Sequence, residues 1–137
     1  MAGKRGLIVG IANDRSIAWG IAQRLAAEGA ELALTYQSEP FAKRVLPLAD
    51  QVGAKLTLPC NVSDTDSLDQ LFGALKSEWG SLDFVVHSIA YSDKEELKGQ
   101  YVETTRDNFE RTMDISVYSF TEITRKATAM MNDGGSL

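Results

Sequence analysis

Cysteine and histidine are nearly missing from this 137-residue chain, which has one of each, Cys60 and His87. A single cysteine excludes an intrachain disulfide, and one cysteine with one histidine supplies no recognisable ligand spacing for a zinc centre. Long apolar runs are missing too. The stretch Leu7–Ala12 is stopped at once by Asn13-Asp14-Arg15. It is too short for a secretory signal, and nothing approaches the roughly 20 apolar residues that a membrane-spanning helix needs. Positive charge is scarce. Fourteen Lys and Arg face 19 Asp and Glu, for a net charge of −5 and a pI of about 4.8. No basic cluster exceeds pairs such as Lys43-Arg44, so the chain is poorly suited to neutralising nucleic-acid phosphates. These absences predict a soluble, cytoplasmic protein with no metal site, no membrane partner and no nucleic-acid partner.

What is present is a regular alternation. With 44% hydrophobic and 24% charged residues, the chain can bury one core of ordinary domain size. Gly6-Leu7-Ile8-Val9-Gly10 has consecutive apolar residues, the pattern of a strand buried on both faces. Ile17 to Glu28 follows at helical spacing, with Ser16 as expected N-cap and Gly29 as stop. Glu31–Tyr36 reads as a second strand, and Phe41 to Val52 as a helix that Pro47 should kink or split. Lys55–Cys60 is a third strand. Ser63-Asp64-Thr65-Asp66 opens a helix that runs to Trp79, with acidic residues where the helix dipole favours them. Leu82–His87 is a fourth strand. A polar connection from Tyr91 to Thr104 is long enough to suggest function. A long helix is then expected from Thr104-Thr105-Arg106-Asp107 to about Asn132, with a further strand only beginning at Ser136. Strands alternating with helices predict a doubly wound, parallel, Rossmann-type α/β sheet. On this reading residues 1–137 are a single dinucleotide-binding domain, truncated after the fourth strand and the long helix that follows it.

In an open parallel sheet, ligands bind outside the C-terminal ends of the strands, where the strand order reverses. The first such turn is Gly10-Ile11-Ala12-Asn13-Asp14-Arg15-Ser16-Ile17-Ala18-Trp19-Gly20. Gly10 allows close backbone approach, and Ser16 with the Ile17 N–H stands at a helix N-terminus that favours a pyrophosphate. Gly20 is expected to let this helix pack closely on the first strand. The turn is not G-x-G-x-x-G, and taken alone it fits any capped helix equally well. Gln37 occupies the position, about 20 residues on, where dinucleotide-binding folds often hold the adenosine ribose. No cation follows it immediately, and Glu39 would repel a 2′-phosphate, so NADH is favoured over NADPH. Asn61 and Val62 after the third strand could frame an adenine. Ser88, Ile89 and Ala90 after the fourth are small enough to run beside a cofactor, and Tyr91 could line a substrate pocket. His87 and Cys60 read as structural.

Together, Gly10 with Ser16–Gly20, Thr35-Tyr36-Gln37, His87-Ser88-Ile89-Ala90 and Asp114–Phe120 closely resemble the NADH-dependent enoyl-[acyl-carrier-protein] reductases. These are a divergent branch of the short-chain dehydrogenase/reductase superfamily. Neither the T-G-x-x-x-G-x-G turn nor the N-N-A-G stretch of ordinary short-chain dehydrogenases is present. The resemblance implies that Gly10, Ser16 and Ile17 bind the pyrophosphate side of NADH, Gln37 the adenosine ribose, and Asn61 and Val62 the adenine. It places Ser88 and Ile89 near the nicotinamide ribose, and Ala90, Tyr91 and Ser92 at the acyl-substrate pocket. Asn61 departs from the usual Asp, keeping an acceptor oxygen but losing the charge. Ala90 stands where some members have Gly, and Ser116 where many short-chain dehydrogenases have an Asn.

The implied reaction is hydride reduction of a trans-2-enoyl thioester carried on acyl carrier protein, the last step of a fatty-acid elongation cycle. The resemblance also implies a homotetramer built partly through the helix Arg106–Met131. The family's catalytic Tyr and Lys would follow the strand expected near Ser136, so no catalytic residue is assigned within 1–137. Two alternatives stay open from the sequence: another short-chain carbonyl reductase, and a non-catalytic dinucleotide-binding module.

Overall fold

The computed structural model describes residues 1–137. Its strands are β1 (Arg5–Val9), β2 (Glu31–Tyr36), β3 (Leu56–Pro59), β4 (Leu82–His87) and β5 (Met131–Ser136). Its helices are α1 (Ile17–Ala27), α2 (Glu39–Gln51), α3 (Thr65–Trp79), α4 (Arg106–Met113) and α5 (Ser119–Thr128). All strand pairings are parallel, in the order β3-β2-β1-β4-β5. The chain winds outward from β1 to β3, then returns to start the other half at β4. The order therefore reverses between β1 and β4.

Helices cover both faces, as a doubly wound sheet requires. Alternate residues of β1 point to opposite sides. Leu7 and Val9 join Leu68, Leu71 and Leu75 of α3 and Ile123 and Ala127 of α5 in one cluster. Ile8 joins Ala18, Trp19 and Ala22 of α1 and Val45, Leu48 and Ala49 of α2 in the other. Leu7, Ile8, Leu34, Leu71 and Leu75 are fully buried or nearly so. Each such side chain contributes about 2 kcal/mol of transfer free energy, so β1 is the spine of both cores.

Several expectations need correction. The sheet does not stop at the fourth strand: β5 pairs with β4, with a register irregularity between Leu82 and Phe84. Asp133-Gly134-Gly135 reads locally as a turn, but backbone pairing to a buried neighbour overrides that weak signal. β4 is therefore paired on both sides, with β1 and with β5. The long helix ends at Thr128, and a π turn, Asp114–Tyr118, interrupts it between α4 and α5. Pro47 lies within α2 without splitting it. Pro47 and Lys43, whose carbonyl loses its partner, are both exposed, while Val45, Leu48 and Ala49 are anchored in the core. Gly20 does not serve close packing. A Cβ there would meet nothing, and Ala18, Trp19 and Ala22 make the sheet contact instead.

Candidate functional site

The strand reversal leaves a crevice beyond the C-terminal ends of β1 and β4. It holds a cavity of about 260 Å³ whose walls include Gly10, Ile11, Gln37, Asn61, Val62, Ser88, Ile89, Ala90 and Tyr91. Gly10 and Ser88 are forced together because β1 and β4 are neighbours, and the Ser88 N–H donates to the Val9 carbonyl at 3.0 Å. Gly10 has φ +113°, and a Cβ there would lie 2.0 Å from the Ser88 carbonyl oxygen. Only glycine fits both the conformation and the contact.

The turn after β1 is shaped by Ser16, in a way the sequence did not suggest. Ser16 sits at the N-cap position of α1 without capping it. Its hydroxyl oxygen accepts instead from the backward-lying N–H groups of Ala12 and Asn13, at 3.0 and 3.1 Å. Asn13 Oδ1 accepts from the Arg15 N–H at 2.8 Å. With its oxygen so engaged, Ser16 has a hydroxyl proton to donate outward. The N–H groups of Ile17 and Ala18 take no protein acceptor. This donor set fits an anion such as a pyrophosphate. Ser16 and Ile17 stand at the turn and not in the cavity wall, and Ile17 points into solvent.

Gln37 follows β2 as an exposed side chain on the cavity rim. Arg15 and Arg44 line a separate cleft that does not include it. Asn61 Oδ1 accepts from the Ser63 N–H at 3.3 Å and the Asn61 N–H donates to Ser67 Oγ at 3.0 Å. That side chain therefore shapes its own turn and has one lone pair left for a ligand. Cys60 is both core and cavity wall. Burial pushes its thiol up to about 11, which keeps it protonated and unreactive.

On the opposite side, the chain after Ala90 is tied to α4 and the π turn. Ser116 Oγ accepts from the Tyr91 N–H at 3.0 Å and lies 3.3 Å from the Tyr91 carbonyl, to which it can donate. The Arg111 guanidinium sits 4.9 Å from the centroid of the Tyr91 ring, within cation–π range. Ser92 accepts from Asn108 Nδ2 at 3.1 Å and is not among the residues that line the cavity. Asn108, buried at 8% exposure, carries no local signal in the sequence, and Ile115, a cavity wall, lies in the Asp114–Phe120 stretch without being marked as a wall residue. Tertiary folding alone brings them to the site.

His87 is structural, as its sequence position suggested. The Ser119 hydroxyl donates to the Ile115 carbonyl at 2.7 Å. The His87 ring must therefore donate from Nε2 to Ser119 Oγ, 2.8 Å away. Its edge packs on Phe120 with centroids 5.5 Å apart, and burial holds its pKa below the usual 6.5. No charged side chain lines the cavity. Its walls can hold a ligand by shape, backbone amides, carboxamides and hydroxyls, with the donor turn at Ser16 to one side.

The model of the family described as enoyl-(acyl carrier protein) reductase matches residues 10–137. The chain is 60% identical over 137 residues to "Enoyl-[acyl-carrier-protein] reductase [NADH] 2" of Rhizobium meliloti, covering all of this chain and 51% of that protein. It is 49% identical over 137 residues to the NADH enoyl-[acyl-carrier-protein] reductase FabI of Rickettsia felis, covering all of this chain and 53% of that one. The crystal structure of the Anaplasma phagocytophilum reductase in complex with NAD superposes with a TM-score of 0.92 at 60% identity, over 95% of this chain and 50% of that one. The Aquifex aeolicus NADH reductase superposes with a TM-score of 0.93 at 47% identity, over 96% of this chain and 52% of that one. The chain thus spans about half the length of the curated relatives it matches. On the family model and these identities, the chain belongs to the enoyl-[acyl-carrier-protein] reductase family.

Proposed function

We propose that this chain is the NADH-binding part of a reductase that acts on trans-2-enoyl thioesters carried by acyl carrier protein, and that residues 1–137 form its dinucleotide-binding domain. The observation that carries this reading is the cavity at the β1–β4 reversal, closed by the Gly10–Ser88 approach and flanked by the donor turn at Ser16. When bound, the reduced nicotinamide supplies a hydride for the β-carbon of the enoyl group. The chain's own residues bind and orient. Ser16 Oγ and the Ile17 N–H hold the pyrophosphate, and Gln37 takes the adenosine ribose. Asn61 and Val62 flank the adenine, Ser88 and Ile89 the nicotinamide ribose. Ala90 and Tyr91 form the substrate side, with Ser92 anchoring the loop behind them.

Gln37 has no cation beside it, and Glu39 stands two residues on. That environment favours a ribose with a free 2′-hydroxyl, hence NADH over NADPH. Phe109, Met113, Val117, Tyr118 and Phe120 leave α4, the π turn and α5 with exposed apolar side chains, which suits burial between subunits of a homotetramer. A cytoplasmic location accords with a substrate carried on a soluble protein.

The test is an enoyl-thioester-dependent oxidation assay with the natural protein that carries this chain. Oxidation of NADH at least about tenfold more efficient than that of NADPH is expected, from the loss of one charged contact. Carbonyl reduction without enoyl reduction would move the protein to another short-chain reductase activity. Dinucleotide binding with neither reaction would leave a non-catalytic module.

A further inference from the structure

The connection from Tyr91 to Thr104 leaves the cavity wall and returns to α4, and the first turn of α4 with its N-cap holds it at two points. At its start, Asn108 Oδ1 accepts from the Asp93 N–H at 2.8 Å while Asn108 Nδ2 donates to Ser92 Oγ at 3.1 Å. Further along, the Glu96 carboxylate accepts from the Thr105 N–H at 2.9 Å and from the Thr105 hydroxyl at 2.7 Å. Thr105 Oγ1 in turn accepts from the Asn108 N–H at 3.2 Å, as the N-cap of α4. Asn108 is therefore the junction of a continuous network. It is a buried polar residue whose carboxamide spends its oxygen and its nitrogen on the loop.

We infer that Asn108 is a positioning residue for the substrate side of the cavity. Through Ser92 and Asp93 it sets the path of the backbone that presents Ala90 and Tyr91 to the ligand. Ser116 fixes Tyr91 from the neighbouring π turn, so two separate anchors determine where that wall stands. On the dinucleotide side, Ser16 and Asn61 are held by hydrogen bonds within the turns after β1 and β3, and none of these involves Asn108. A buried carboxamide that loses its partners leaves donors and acceptors unsatisfied, which makes this anchor stiff. The inference rests on the proposed reading of the cavity as an enoyl-thioester site.

The test uses the natural protein that carries this chain. Asn108→Ala is expected to raise the KM for a trans-2-enoyl thioester about fivefold or more while leaving the KM for NADH within about twofold, the effect of losing the two positioning hydrogen bonds to Ser92 and Asp93. Asn108→Asp keeps the acceptor for the Asp93 N–H and is expected to recover part of that loss. Amide hydrogen exchange at Asp93 should accelerate about tenfold or more in the alanine variant and much less in the aspartate variant. Slow exchange at Leu7 and Ile8 verifies that each variant is folded, and if the alanine variant is not, the aspartate variant decides.

Equal changes in both KM values, or no change in either, would overturn the inference. So would an Asp93 amide that exchanges in the wild type as fast as an unstructured peptide. A wild-type protein inactive on enoyl thioesters would instead overturn the proposed function, and the Asp93 exchange would still decide whether Asn108 holds the loop.

Discussion

Gly10 concentrates more constraint than any other residue at the site. Its positive φ costs a side-chain-bearing residue about 1–3 kcal/mol, and the Ser88 carbonyl already fills the space a Cβ would need. Gly10→Ala is therefore expected to destabilise the fold by about 2 kcal/mol or more. It should also abolish saturable NADH binding even where the variant remains folded, because β1 and β4 must separate at the cavity. Urea denaturation and a nicotinamide fluorescence titration check the two effects. Unchanged binding would remove Gly10 from the site. The glycine's need was legible in the sequence, since it ends a buried strand and precedes a helix. The trapped Ser16 hydroxyl was not, because a serine before a helix ordinarily signals a cap and only the folded turn shows which N–H groups it receives.

Helix α2 shows how packing outweighs propensity at the scale of an element. A proline inside a helix costs about 3 kcal/mol relative to alanine, yet α2 runs through Pro47 from Glu39 to Gln51. Three core side chains around the proline supply the difference. Replacing Pro47 by Ala restores the N–H to a continuous helix at an exposed position. Stability measured by urea unfolding is expected to rise by about 1 kcal/mol or more, the gain in the folded helix being offset in part by a more flexible unfolded chain. A fall in stability would mean that the proline's restraint of the unfolded chain dominates. The interrupted long helix makes a related point. Its amphipathic pattern marks α4 and α5 but not the π turn between them, which a continuous helical repeat conceals.

The sheet as a whole is laced at one end by a single carboxylate. Asp83 on β4 accepts from the Arg5 N–H at 2.9 Å, from Lys4 Nζ at 2.9 Å and from Asn132 Nδ2 at 3.1 Å. It thereby joins the starts of β1, β4 and β5. The backbone bond from Arg5, and then the bond from Lys4, hold its pKa near 2, below the ordinary 3.8. Because the folded value is the lower one, the unfolded chain takes up the proton first. The stabilising contribution is full above the unfolded value and is lost as the pH falls from about 4 towards about 2. The thermal midpoint of the wild type should therefore exceed that of Asp83→Asn at neutral pH, and the gap should close across that acid window. A gap that stays constant with pH would show that the carboxylate's charge is not what laces the strands.

The sequence by itself determined the element types and their order, and the spans of β2 and β4 to the residue, because buried parallel strands and amphipathic helices write their burial as residue patterns. It pointed to about half of the cavity wall as well, since Gly10, Gln37, Asn61, Ser88 and Tyr91 all follow strand ends, which this topology gathers at one edge. The span of the fifth strand, expected only to begin near Ser136, the π turn and the roles of Asn108 and Ile115 at the site were decided by tertiary structure. Met131–Ser136 is a strand because β4 offers it backbone partners. Asn108 is buried because the returning loop closes over it. Contacts between segments distant in sequence set those outcomes, and no local pattern of residue types encodes them.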